Sequence, residues 1–490
     1  MEKAGITMGK FIAGLVIAIL VSSAVSVGIS TQLIKNMYAL PDYDSGWVDI
    51  TNNVGEYFNV THSLNSEDII VDIRGKTTAS GGAHQGYYGL TGKTGRTQTY
   101  GGVNCDHAYS MVQTSDGGYA LAGYTESYGA GFSDFLLIKT DAYGTLQWSQ
   151  TYGGADNEIA YSMIQTLDGG YALAGYTASY GAGKYDLWLV KTDSAGNPQW
   201  NRTYGGADYD YAYSLAQTSD EGYAIAGHTD SYGAGDDDFW LVKTDASGIL
   251  QWSRTYGGTN NNYAHSMVQT SDGGYALAGY AESYTADDPN FWLVKTDSAG
   301  NLQWNQTYGG AVYDYAYSVV QTNDGGYALA GLTDSYGAGG YDFWLVKTDS
   351  IGNPQWNQTY GGASYEIAYS MVQTSDNGYA LAGFSASFGA GKYDFWLVKT
   401  DSAGNQQWNQ TYGGSKFDYA YSVVQTSDGG YVLAGLTNSY GAGDYDFWLV
   451  KTDVESGLVW TDSTANTITL YRGATDTQWN YVRVRIWKID

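Results

Sequence analysis

From about residue 96 onward, short runs of alternating apolar and polar residues are separated by Gly- and Asp-rich turns. The same four runs keep returning. In the copy that begins at Thr307 they read YAYSVVQT, GYALAGLT, DFWLVKT and PQWNQTY, here named a to d. In run b, Tyr327, Leu329 and Gly331 fall on one side, and Ala328, Ala330 and Leu332 on the other. That period of two is a strand period. Asn323-Asp324-Gly325-Gly326 joins a to b and Asp349 to Asn353 joins c to d, both as tight hairpin turns. The b–c and d–a connections, SYGAGGYD and GGAVYD, are longer.

The tetrapeptide TYGG begins at Thr99, Thr151, Thr203, Thr255, Thr307, Thr359 and Thr411, a constant spacing of 52. Four antiparallel strands in each unit of about 50 residues make one propeller blade. The prediction is an all-β, seven-bladed β-propeller over residues 95–453. Small residues in run a, such as Ala316 and Ser318, suit the strand nearest the axis.

Run d precedes run a around each TYGG. The chain therefore enters the repeats with a spare d run, Gly95 to Tyr100, and leaves them after a c run, at Asp453. The spare run is expected to complete the seventh blade. Trp460, in repeat register with Trp408, keeps open the alternative that the last blade makes its own d strand.

The flanks do not repeat, but they also read as β: GWVDIT, EYFNVTHSL and DIIVDIRGKT before, LVWTDS, TITLYR and NYVRVRIWKI after. Neither flank has enough strands to bury a sheet face alone. Residues 46–94 and 454–490 are therefore expected to form one discontinuous β-sandwich, with the propeller inserted into it and 36–45 as a linker.

Residues 1–35 read as an N-terminal membrane anchor or signal segment. Phe11 to Ile34 carries no charge and is long enough to span a bilayer, at roughly 20 residues per span. Phe11 to Val21, followed by Ser22-Ser23-Ala24, offers the second reading, a cleavable signal. A pilin-like assembly helix is a third reading. All three export the rest of the chain, with Lys3 and Lys10 kept inside. Five N-x-T sequons, at Asn59, Asn201, Asn305, Asn357 and Asn409, agree with export.

Composition narrows the picture. Tyr is the main aromatic, at 48 residues, and Gly reaches 67, as suits strands and tight turns. The net charge of -27 argues against nucleic acid, whose phosphates need Lys and Arg. Cys105 is the only cysteine, so no internal disulfide can form.

The pattern GGYALAGYT…DFWLVKTDSAGNxQWNxTYGG resembles the tandem propeller repeats of prokaryotic exported and surface proteins. Asp193 to Trp200, DSAGNPQW, is similar to the D-x-x-G-x-x-x-W turn of pyrroloquinoline-quinone-type blades. The flanking segments look like a small sandwich of surface and tail proteins, and distantly like the H-type lectin sandwich. These resemblances imply a fold, and leave the activity to the site.

Strands alternate in direction, so the a–b and c–d hairpins share one face and the d–a and b–c loops share the other. The hairpin face is monotonous, with TSDGG and DSAGN recurring. The loop face varies, and it is expected to point away from the cell and to carry the ligand. Candidate binding residues there are Tyr185 with Asp186, Tyr209 with Asp210, Tyr313 with Asp314, Tyr341 with Asp342, and Tyr393 with Asp394. Tyrosines offer apolar faces with a polar handle, and carboxylates accept sugar hydroxyls. The same aspartates also suit a plain role as turn caps. Asp236-Asp237-Asp238 is the densest acidic cluster and the candidate for Ca²⁺; no other cofactor is implied.

The Trp rows of runs c and d read as blade-to-blade core, and the Lys of KTD as solvated or paired. His265 stands where other copies have Tyr. Nucleophile elbows, phosphate loops and zinc motifs are absent from the sequence. The first and fourth copies depart most from the repeat. The expectation is a non-enzymatic, membrane-anchored surface protein that binds an extracellular glycan or protein. The alternatives are a coat or filament subunit, and a polysaccharide-active or quinone-dependent enzyme.

Overall fold

The computed structural model describes residues 96–452, apart from 284, 285 and 428, and the backbone of seven strands in the flanking segments. The N-terminal segment read as an anchor or signal lies outside the described residues. The described residues contain strands and turns and no helix.

Seven four-stranded antiparallel sheets follow one another along residues 96–452. In the fifth, strand a is Asp314–Gln321, b is Tyr327–Thr333, c is Asp342–Thr348 and d is Pro354–Tyr360. In the seventh, the strand Arg96–Tyr100 takes the outer position beside Asp446–Lys451, with Trp448 opposite Thr99. The leading strand thus completes the last blade. Trp460 lies instead in Leu458–Thr464, which pairs with Thr467–Arg472.

Strands b and c are buried along their whole length, whereas d is exposed or half-buried up to its last residue. The alternation in run b therefore separates two cores, not core from solvent. Tyr327 and Leu329 pack with Ala276, Phe291 and Leu293 of the blade before. Ala328 and Ala330 pack with Met371, Leu381 and Trp396 of the blade after. The c-strand indoles sit in these inter-blade cores, as Phe343 against Trp396 at 4.6 Å shows. Burial of this kind, at roughly 25 cal/mol per Å² of apolar surface, is what holds neighbouring blades together. The same core joins the seventh blade to the first, through Phe447 and Leu449 against Leu121 and Leu136.

Of the two readings of the KTD lysines, solvated or paired, the structure shows the paired one. Lys347 is buried. Its ammonium donates to Asp324 Oδ2 at 2.9 Å, to the Thr348 carbonyl at 2.7 Å and to Gln355 Oε1 at 3.1 Å. An ammonium can stay charged in such a place only when its donors are matched this fully. Equivalent pairs recur from Lys139–Asp116 to Lys399–Asp376 on the hairpin face.

The flanking strands form two sheets of their own. One has the order Tyr43–Asp49, Tyr481–Lys488, Ile69–Lys76, His84–Leu90. The other has the order Tyr57–Thr61, Thr467–Arg472, Leu458–Thr464. Both mix strands from before and after the repeats. The first of these strands starts at Tyr43, inside the span read as linker. By contacts the chain divides into 96–452 and a second unit made of the two flanks.

Candidate functional site

The site is built outward from strand a. In every blade the a–b register shifts at one residue, as between Ala212 and Ser214. The residue at the bulge is thereby re-aimed. The seven bulge residues are Tyr109, Tyr161, Tyr213, His265, Tyr317, Tyr369 and Tyr421. Their rings form a closed circuit, each centroid 4.7 to 5.2 Å from the next. The serine that follows each bulge tightens the same ring. Its hydroxyl accepts an N–H from the next blade's strand a, from Ser110 with Met163 through Ser422 with Met111. Burial pushes the phenols up, well above the usual value at Tyr213 and Tyr421, and pulls His265 down to about 4.

Towards the loop face a second aromatic layer stands on this ring. Tyr211 lies parallel to Tyr213, and Tyr209 continues the stack. Outside it, the SYG residues of the b–c loops, Tyr128, Tyr180, Tyr232, Tyr336, Phe388 and Tyr440, are 42 to 53% exposed. They are held firmly. Tyr336 rests on Trp344 at 5.4 Å and its hydroxyl donates to the Gly309 carbonyl at 2.9 Å. Exposed aromatic faces fixed in this way lose little entropy when a ligand covers them.

The predicted tyrosine–aspartate pairs split. Tyr209 and Tyr313 are exposed, and Tyr185, Tyr341 and Tyr393 are half-buried beside Tyr209, Tyr365 and Phe417. Lys184 lies 4.6 Å above the Tyr209 ring and pairs with Asp208. The aspartates point the other way and are buried. Asp186 accepts from the backbone of Ala182 and Gly183, Asp342 from Ala338, and Asp394 from Gly391. Asp210 accepts from Gly206, Thr229 and Ser231, and Asp314 from Gly310 and Ser335. These five carboxylates turn into their own blades, away from the exposed rings, because consecutive extended residues face opposite sides; Asp342 still keeps Oδ1 buried without a hydrogen bond.

They also meet in pairs. A Cβ at Gly361 would overlap Asp342 Oδ1 and lie 2.7 Å from Glu366 Oε2 of the next blade. Asp186 with Asp210, Asp394 with Asp418 and Asp446 with Asp106 repeat the arrangement. Burial first, and then the neighbouring acid, raise the carboxyls of Asp186, Asp342 and Asp446. In two junctions an amide replaces one acid: Asp238 faces Asn262, and Asn290 faces Asp314.

Asp236, Asp237 and Asp238 do not converge. Asp236 is exposed, and Asp238 is buried and accepts from Ala234 at 2.7 Å. Asp237 turns inward, where the Tyr263 hydroxyl donates to Oδ2 and His228 Nε2 lies 3.5 Å from Oδ1. Among the described residues no group of three or more His, Cys, Asp or Glu could hold a metal. The end of the b–c loop and the start of strand c at Asp238 aim the three carboxylates apart, which is why they do not form one cation site.

His228, Asp237 and Tyr263 are the sharpest break in the aromatic wall. Position 228 is Tyr, Leu or Phe in the other six blades, and position 237 is Tyr in four. His228 lies 4.6 Å from Tyr211 and 4.4 Å from Tyr263. Burial holds it down at about 3, so it is neutral, and burial raises Asp237. Aligned column by column, the seven copies carry this break in the third blade, whereas the first departs at Cys105, His107 and Leu136 and the fourth in its b–c loop.

No protein-family model matches the chain. A stretch of 187 residues is 27% identical to the Regulatory protein FlaEY of Caulobacter vibrioides, covering 32% of this chain and 20% of that protein. The chain thus spans about a fifth of the length of this curated relative. Among solved structures, the Pan2 WD40 domain of Neurospora crassa superposes with a TM-score of 0.46 and 9% identity, over 70% of this chain and 89% of that one. Sqt1 from Chaetomium thermophilum gives 0.42 and 11%, over 82% and 100%. The blade count rests on the sheet order of this chain itself.

Proposed function

We propose that this is an exported, membrane-anchored surface protein whose propeller binds an extracellular glycan or protein through its loop face. The observation that carries the reading is the set of half-exposed aromatic rings, five of the six fixed by an indole beneath them and five of the six, Tyr128 included, by a hydroxyl bond. Such rings cover the apolar faces of sugars or take protein side chains, and the loops around them supply polar partners. Export and anchoring rest on the apolar segment 11–34 and its flanking lysines. The two flanking sheets are read as a sandwich of the surface-protein kind.

Binding is favoured over catalysis by the burial of the His–Asp pair. His228 Nδ1 is closed to solvent, so a substrate proton has no path to it. No cofactor is part of this reading.

The test is a glycan array and a surface-protein panel probed with the full chain. Tyr232→Ala, Tyr336→Ala and Tyr209→Ala should each weaken a positive signal at least tenfold. If all three bind every hit as the parent does, the reading fails.

A further inference from the structure

The hairpin face, monotonous in sequence, is broken at one place. In the a–b turns the residue after the first Thr is Ser in five blades, Asn323 in the fifth and Leu167 in the second. Two residues further on, at a position with φ between 65 and 88°, five blades carry Gly, the sixth Asn377 and the third Glu221. A side chain longer than Asn is strained in this left-handed region. The two positions are neighbours across a blade junction, since Asn323 donates to Asn377 at 2.9 Å in the fifth and sixth blades. Leu167 and Glu221 therefore face each other. The Gln217 side chain ties their backbones, accepting from Leu167 N–H and donating to the Glu221 carbonyl.

Between them lies a cleft of about 360 Å³, walled by Leu167 and Trp200 and floored by Tyr223 and the Lys191–Asp168 pair. Leu167 is 79% exposed, an apolar wall open to solvent. Lys191 is fully used by Asp168, Thr192 and Gln199. The Glu221 carboxylate meets no cation among the described residues. The cleft thus combines an apolar wall with one unpaired negative charge, on a chain of net charge -27.

We propose that this cleft is a docking site for a lysine or arginine side chain of a partner protein. The aliphatic stem lies along Leu167 and Trp200, and the cationic head reaches Glu221. An apolar stem with a charged tip is the shape such side chains present. The strain at Glu221 places a carboxylate where the repeat otherwise has none. This site is separate from the loop face and stands or falls independently of it.

The test is saturation-transfer NMR of the full chain with Nα-acetyl-lysine methylamide at millimolar concentration, beside its neutral Nε-acetylated form. The parent should saturate the charged probe, chiefly at its side-chain methylenes, and leave the neutral one at background. Glu221→Gly restores the residue of the other blades. It should cut the signal at least fivefold while the melting temperature stays level or rises. Leu167→Ser, also a return to the repeat, should cut it without altering the turn. Equal saturation of the neutral probe, or an undiminished signal in either variant, overturns the proposal; general attraction to an acidic protein would give the latter, since one charge of many is removed.

Discussion

The two faces of the propeller are made from the same repeat and treat their carboxylates in opposite ways. On the hairpin face Asp324 is exposed and its partner, Lys347, is buried. Burial works upward on Asp324, but the Thr322 hydroxyl and the Lys347 ammonium outweigh it and hold it down at about 2. On the loop face Asp342 is buried, its neighbour is Glu366, and burial and that like charge raise it. The lesson is that a ring of identical blades can balance its own pH response. A carboxyl held low in the folded state adds stability above the ordinary value of 3.8, and that stability is lost as pH falls towards 2. A carboxyl held high adds stability below 3.8 that is lost as pH rises through its raised value.

Removing one partner on each face separates the two cases. Asp324→Ala strands a buried ammonium and should cost about 3 kcal/mol in denaturant unfolding at pH 7. A loss below about 1 kcal/mol would mean that Thr348 and Gln355 suffice for Lys347. The glycines sharpen the contrast. Gly361→Ala pushes a Cβ into the Asp342–Glu366 pair and should cost about 2 to 3 kcal/mol, the scale of overpacking. Gly325→Ala meets open space and has only its φ of 82° against it, so about 1 kcal/mol is expected. Equal costs would dissolve the distinction between steric and conformational need. The smallest effect is a gain. Asp342→Asn lets an amide donate to Glu366, and an amide already stands at the matching place in the junctions of Asn262 and Asn290. It should stabilise by about 1 kcal/mol at pH 8, the scale of one hydrogen bond to a charged group, and by nothing at pH 4. A gain that does not change with pH would show that the pair shares no proton.

The repeat spacing carried the blade count, the strand order and the closure by residues 96–100, because each depends only on counting turns. Side-chain direction was not legible to the same degree. Tyr209 and Asp210 read as a pair in sequence, yet the loop exposes one and buries the other. The bulge that gathers Tyr213 and His265 into a ring breaks the very alternation used to read strand a. Pairing of Lys347 was one of two readings in the sequence, and its burial was not legible because its three acceptors come from a turn, a carbonyl and a neighbouring strand. Asp237 was visible only as one of three acids, and its turn towards His228 depends on a missing tyrosine. Leu167 and Glu221 are 54 positions apart in a face that seemed uniform, and only the junction between blades brings them together.

Closure by the leading strand sets an order of events during synthesis. Arg96–Tyr100 is made first among the propeller strands and pairs with Asp446–Lys451, made last. About 350 residues separate them, on the order of 20–70 s of elongation at ordinary rates. Throughout that interval the strand has an open edge, the kind of feature that recruits stray strands. Its sequence, RTQTY, has one aromatic at the end and polar residues before it. Such a strand binds weakly until Phe447 and Leu449 bring their apolar surface to it. The latch is kept inert by its composition and is armed only by the final blade.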